Sequence, residues 1–203
     1  MAWLDPSFNM LICGITNCGK TDYALELLST VYKGKFDYIV IFFSTFRYNT
    51  TYNKSFIFKD DDVFVLIPLD NLDELLEFAI TQFIKIGKNI FFLIDDCANL
   101  NDTKRKSTAL TKLAFSGRHM GISTWLITQK YNAVVKDYRD NIGMLVLYYN
   151  KDDKSMINAV DENSIVNKAE RDHIIQKLKE YKHSKLVLKL EYPYEYNVLG
   201  DSM

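Results

Sequence analysis

Residues Gly14-Ile15-Thr16-Asn17-Cys18-Gly19-Lys20-Thr21 fit the pattern G-x-x-x-x-G-K-[ST] and lie between an apolar run of strand length and a helical pattern. The glycines allow a tight turn in which successive backbone N–H groups converge on one anion, and the following helix adds the positive end of its dipole. This is the chemistry of a phosphate-binding loop. Gly14, Thr16, Asn17, Cys18, Gly19, Lys20 and Thr21 would surround the phosphates of ATP, with Lys20 on the β- and γ-phosphates and the Thr21 hydroxyl on Mg²⁺.

Such a loop needs a second magnesium partner, and Ile90-Phe91-Phe92-Leu93-Ile94-Asp95-Asp96 offers one at the end of an apolar run. Paired acids after a strand also start turns, but beside a phosphate loop they read as a Walker B segment. Asp95 would hold Mg²⁺, directly or through water, and Asp96 would polarise an attacking water. A second carboxylate beside the magnesium ligand suits hydrolysis better than a nucleotide switch without its own base.

The third constellation is Gly117-Arg118-His119-Met120-Gly121-Ile122, followed by Ser123-Thr124-Trp125-Leu126-Ile127-Thr128-Gln129. This R-x-x-G-I-strand-T-Q pattern, after a phosphate loop and a double acid at these spacings, resembles the FtsK–HerA superfamily of P-loop motor ATPases. Within it, residues 8–150 are similar to the genome-packaging ATPases of poxviruses, other large DNA viruses, archaeal viruses and virus-like transposons; Tyr138-Arg139-Asp140-Asn141-Ile142 is similar to the basic and asparagine element that follows the Gln strand. The resemblance implies a three-layer, RecA-like ASCE domain that hydrolyses ATP in a homo-oligomeric ring, a hexamer or pentamer, to move double-stranded DNA. It also implies that Gln129 senses the γ-phosphate and that Arg118 is an arginine finger acting on a neighbouring subunit, with Arg139 the competitor for that role. Asn141 would be nucleotide-proximal or strand-capping. A solvated helix-end arginine is the ordinary alternative for either cation.

These residues need a scaffold. Apolar runs at 8–13, 37–43, 63–67, 90–95, 122–128, 143–149 and 185–191 predict strands, most of them continuous as in a sheet covered on both faces. Helical spacing at 20–32, 71–86, 103–116 and 165–181 predicts the crossovers; Leu72, Leu75, Leu76, Ala79, Ile80 and Phe83 make one face of the second. The expectation is an α/β domain with a mainly parallel sheet flanked by helices, over residues 1–203 as a single unit. The phenylalanine pairs Phe42-Phe43 and Phe91-Phe92 read as strand core.

With 203 residues, 48% of them hydrophobic, the chain suffices for one sizeable core. No apolar run is long enough to span a membrane and no leader pattern is visible, so a soluble, intracellular protein is expected, and for a viral chain the host cell and packaging vertex. Three cysteines, Cys13, Cys18 and Cys97, fit neither a disulfide frame nor a zinc pattern. Cys18 would be open to oxidation where exposed. His119 reads as a helix-end residue, and His173 and His183 as surface groups.

A net charge of −1 leaves any grip on a polyanion to a local patch. The candidates are Lys104, Arg105 and Lys106, after the double acid, and a segment with Arg47, Tyr48, Tyr52 and Lys54; adjacent cations track phosphates without reading bases. The DNA partner itself comes from the resemblance. Few residues precede the first strand, which suggests a bare motor anchored by a separate capsid or portal protein. Tyr192-Pro193-Tyr194-Glu195-Tyr196 reads as an aromatic tail packed on the sheet, or as a docking tail. Two other readings remain: a small-molecule or nucleoside kinase on the same loop, and a nonhydrolytic nucleotide-binding assembly subunit.

Overall fold

Continuous apolar strands bury both faces, so they must pair side by side under two layers of helix. The computed structural model of the chain describes residues 6–43, 62–66, 71–86, 89–95, 107–163 and 166–200. Among them the strands are β1 (Met10–Cys13), β2 (Tyr38–Phe43), β3 (Val63–Leu66), β4 (Ile90–Asp95), β5 (Ile122–Thr128), β6 (Met144–Tyr148), β7 (Lys185–Lys189) and β8 (Glu195–Leu199). They form one sheet in the order β3-β2-β4-β5-β1-β6-β7-β8. β3 through β6 in that order are mutually parallel, while β7 and β8 run antiparallel at one edge. The expected α/β class with a mainly parallel sheet is therefore what the chain adopts.

The helices are α1 (Lys20–Ser29), α2 (Leu72–Ile84), α3 (Thr108–Ser116), α4 (Lys136–Arg139), α5 (Asp153–Glu162) and α6 (Lys168–Glu180). Successive strand residues point to opposite faces, and they divide into two cores accordingly. Met10, Ile12, Phe43, Phe91, Leu93, Trp125 and Ile127 pack with Tyr23, Ala24, Leu27 and Leu28 of α1. Leu11, Phe42, Phe92, Ile94 and Leu126 pack against α2 to α6 on the other side. Trp125 anchors the first core, edge-on to Phe91 at 4.8 Å and to Tyr32 at 5.3 Å between ring centroids. Phe42, Phe43, Phe91 and Phe92 are all buried, as strand core.

Caps set the helix boundaries. Asn71 accepts from the N–H of Asp73 and Glu74 to start α2, and Ser107 accepts from Leu110 N to start α3. The stretch 150–163 is mostly polar, yet α5 forms there: Asp152 accepts from Ser155 N, and Met156, Ala159 and Val160, spaced i, i+3 and i+4, supply a narrow buried stripe.

The C-terminal tyrosines differ from expectation. Residues 195–199 are an edge strand, and Tyr192, Tyr194 and Tyr196 are 88%, 65% and 39% exposed rather than packed on the sheet. Tyr196 lies in β8, which is held by its ladder to β7, and Tyr192 and Tyr194 precede that strand; all three rings stay outside the core.

Candidate nucleotide site

The strand order decides the site, because β5 lies between β1 and β4 and all three end at the same edge of the sheet. The phosphate loop leaves β1 at that edge, Asp95 closes β4 and Gln129 follows β5. Ligands of open α/β sheets bind beyond such carboxyl ends.

Gly14 leaves β1 by donating its N–H to Thr128 O at 3.2 Å. No side chain fits there: a Cβ on Gly14 would sit 2.6 Å from Tyr148 Cβ and 2.7 Å from Cys18 Sγ. Further on, Asn17 (φ 61°) and Gly19 (φ 93°) take left-handed conformations, the alternation that turns successive N–H groups into one concavity. Gly19 then caps α1, so the helix N-terminus opens into the same cradle. Lys20 folds back over the loop, its Nζ donating to the carbonyls of Gly14 and Ile15, both at 2.8 Å.

One step along α1, Thr21 Oγ1 donates to Asp95 Oδ2 at 2.8 Å. Asp95 is 3% exposed, and a carboxylate so buried needs polar partners to remain charged. Hydroxyl and carboxylate oxygens are the donors a hard divalent cation takes, so this pair fits Mg²⁺. Asp96 lies outside the described residues, as do Cys97, Lys104, Arg105, Lys106 and the segment with Arg47, Tyr48, Tyr52 and Lys54. Gln129 is exposed directly beyond Thr128, which pairs with Cys13, and its carbonyl accepts from Asn150 Nδ2 at 2.9 Å. Thr16 and Asn17 are exposed on the rim of the loop.

The two arginines stand elsewhere. Arg118 precedes β5, so the strand's length, about 3.3 Å per residue and roughly 20 Å in all, separates it from its own chain's phosphate loop. There it donates to Ser7 O at 3.1 Å and pairs with Glu191 at 2.8 Å, and half or more of its side chain faces solvent. His119 is exposed beside it. Arg139 is only 11% exposed; it pairs with Glu162 at 2.9 Å and lies 4.7 Å from the centre of the Tyr131 ring, bracing α5 against the turn after β5. Within its own chain that guanidinium is paired and largely buried. Asn141 is not nucleotide-proximal: its Nδ2 donates to Asp137 O at 2.8 Å and its carbonyl accepts from Asn9 Nδ2, at the edge opposite the loop. These bonds tie the end of α4 to the residue before β1.

Three further residues bear on the loop, and one of them corrects the reading of the sequence. Cys18 is 2% exposed and burial raises its thiol pKa, so the exposure that oxidation would require is not met. Tyr148, at the end of β6, donates its hydroxyl to Gly19 O at 3.2 Å. His183 is no surface group: it is half-buried, with Nδ1 3.1 Å from Cys18 O. Neither contact has a local signal, since 129 and 165 residues separate the partners. Among the described residues no helix is long and apolar enough to cross a membrane.

A family model described as poxvirus A32 protein matches residues 2–191. The chain belongs to this family. No curated protein matches it by sequence. Among solved structures, this A32-family chain is similar to B204, the DNA-packaging ATPase of Sulfolobus turreted icosahedral virus, at 16% identity and a TM-score of 0.71, over 98% of this chain and 100% of that one. The genome-packaging NTPase B204 of Sulfolobus turreted icosahedral virus 2, in complex with AMPPCP, aligns with a TM-score of 0.72 at 17% identity, over 98% and 100% of the two chains. The conjugation coupling protein TcpA of pCW3, in its monomer form with ATPγS, aligns with a TM-score of 0.61 at 16% identity over 95% of this chain and 60% of that one. At such identities the likeness establishes the fold: the A32-family chain has the architecture of P-loop packaging and FtsK–HerA-like ATPases.

Proposed function

We propose that this A32-family chain is the motor subunit of a viral genome-packaging machine, hydrolysing ATP with Mg²⁺ to drive double-stranded DNA in a homo-oligomeric ring, with residues 1–203 working as one ATPase domain. The observation that carries this reading is the 2.8 Å bond between Thr21 and Asp95. It joins the helix after the phosphate loop to the carboxylate two strands away, which is the arrangement an ATPase needs and an ordinary glycine turn does not. Family membership and the shared fold with packaging NTPases support the DNA substrate.

In this reading the loop N–H groups and the α1 terminus hold the phosphates, and Lys20 exchanges its two loop carbonyls for phosphate oxygens. Thr21 and Asp95 would hold magnesium, which would supply positive charge against that of the phosphates. Asp96 takes a proton from the attacking water, and Gln129 orients that water or reads the γ-phosphate. Arg118 completes a neighbouring subunit's site, an assignment supported by its distance from its own loop and its exposure. Lys104, Arg105 and Lys106 are the candidate contacts to DNA phosphates, and a capsid or portal protein anchors the ring.

Steady-state ATP hydrolysis over a range of protein concentrations, with and without double-stranded DNA, tests this. Turnover should rise with concentration or DNA, and Asp96→Asn should still bind ATP while hydrolysing it about 100-fold or more slowly. Turnover indifferent to concentration, DNA and Arg118→Ala would remove the motor and leave a kinase acceptor screen as the next step.

A further inference from the structure

An anion cradle works only if the loop's carbonyls point away from it, and each buried carbonyl turned away then needs a donor. The carbonyls of Gly14 and Ile15 take Lys20 Nζ. The Gly19 carbonyl takes Tyr23 N at 3.0 Å and the Tyr148 hydroxyl. Sterics cannot hold the Cys18–Gly19 peptide, because turning it over changes mainly ψ of Cys18 and φ of Gly19, and glycine takes either sign of φ at little cost. Such a flip would swing the Cys18 carbonyl towards the anion and remove the Gly19 N–H from the cradle.

We propose that His183 is a positioning residue of the phosphate loop: its Nδ1–H holds the Cys18 carbonyl and locks the Cys18–Gly19 peptide with the carbonyl facing outwards. A carbonyl oxygen only accepts, so the 3.1 Å contact requires the proton on Nδ1. The ring also lies against the peptide it holds, with Nδ1 3.3 Å from where a Gly19 Cβ would stand. Its own position comes from the start of β7. Ser184 is buried and its N–H bonds Tyr181 O, while Lys185 Nζ reaches His183 O at 3.3 Å and sits over the rings of Tyr23 and Tyr148 at 4.9 and 5.4 Å. Lys185 pairs across the ladder with Tyr148, so the antiparallel edge of the sheet delivers two donors to adjacent loop carbonyls. The consequence for nucleotide affinity rests on the reading of this loop as an ATP site.

Two variants separate the donor from the bulk. His183→Phe keeps a ring without a donor, and His183→Asn places an amide N–H close to the former Nδ1. Amide hydrogen exchange over residues 14–22 in the nucleotide-free chain reads the lock, and the dissociation constant for ATP with magnesium reads its consequence. His183→Phe should speed exchange in that segment alone and weaken ATP binding about fivefold, the worth of one hydrogen bond, with His183→Asn within about twofold of wild type in both. Unchanged exchange in His183→Phe, or a His183→Asn chain as impaired as His183→Phe, would overturn the proposal. Faster exchange in a chain whose wild type binds no ATP would uphold the lock and discard the nucleotide reading.

Discussion

At the scale of single residues, the site is governed by space as much as by charge. Gly14 is fixed by the neighbours its Cβ would strike, Tyr148 Cβ at 2.6 Å and Cys18 Sγ at 2.7 Å. Since Tyr148 belongs to a fully buried strand, the collision cannot be relieved by rotating one side chain. Gly14→Ala should therefore lose about 1–3 kcal/mol in denaturant unfolding, from overpacking, and weaken ATP binding as the loop shifts. The thiols are the second case. Burial raises the pKa of Cys13 and Cys18 against the opposing charge of Lys20, so both remain protonated well above neutral pH. Thiol titration of the native chain at pH 8 should leave them unmodified until denaturant is added. Prompt native reaction of Cys18, mapped by mass spectrometry, would contradict that shielding.

At the scale of elements, Asp73 in the first turn of α2 also caps α3. Its carboxylate accepts from Ser107 Oγ, from Thr108 Oγ1 at 2.7 Å and from Ala109 N at 3.0 Å. Burial by itself would raise its pKa, but the hydrogen bonds from Ser107, Thr108 and Ala109 outweigh that and lower it. A carboxylate with a depressed folded-state pKa adds stability that is full above its unfolded pKa, near 4, and that fades as pH falls through the folded value. Asp73→Ala should cost about 1 kcal/mol at pH 7, the worth of a cap, and the gap from wild type should narrow below about pH 4. Equal acid sensitivity of the two chains in thermal unfolding would show that the cap adds nothing. α5, mostly polar with one narrow apolar stripe, is held from outside by Arg139 on Glu162 and by the Tyr131 hydroxyl on the same carboxylate at 2.8 Å.

At the scale of the whole molecule, the phosphate loop and Arg118 sit at opposite edges of one sheet. A ring that brings the Arg118 edge of one subunit to the loop edge of the next would use both; an isolated chain uses only the loop. Mixing inactive Lys20→Ala chains with inactive Arg118→Ala chains should restore part of the DNA-stimulated hydrolysis, because some interfaces then join an intact loop to an intact arginine. Mixtures that stay inactive, while each variant still enters wild-type rings, would rule out Arg118 as a group acting between subunits.

The sequence by itself determined what is local. The glycine spacing of residues 14–21, the apolar run closed by Asp95 and the strand closed by Gln129 are continuous patterns, and continuous patterns survive in one dimension. The last edge strand was less legible, since it is short, Glu195–Leu199, and none of its side chains is fully buried. Only the tertiary structure decided that β5 lies between β1 and β4, that Thr21 meets Asp95, that Arg139 pairs with Glu162, and that Tyr148 and His183 reach the phosphate loop. Those contacts arise from how two faces of a sheet are covered and in what order its strands pair. Both are settled by packing between segments far apart in the chain, which no local spacing encodes.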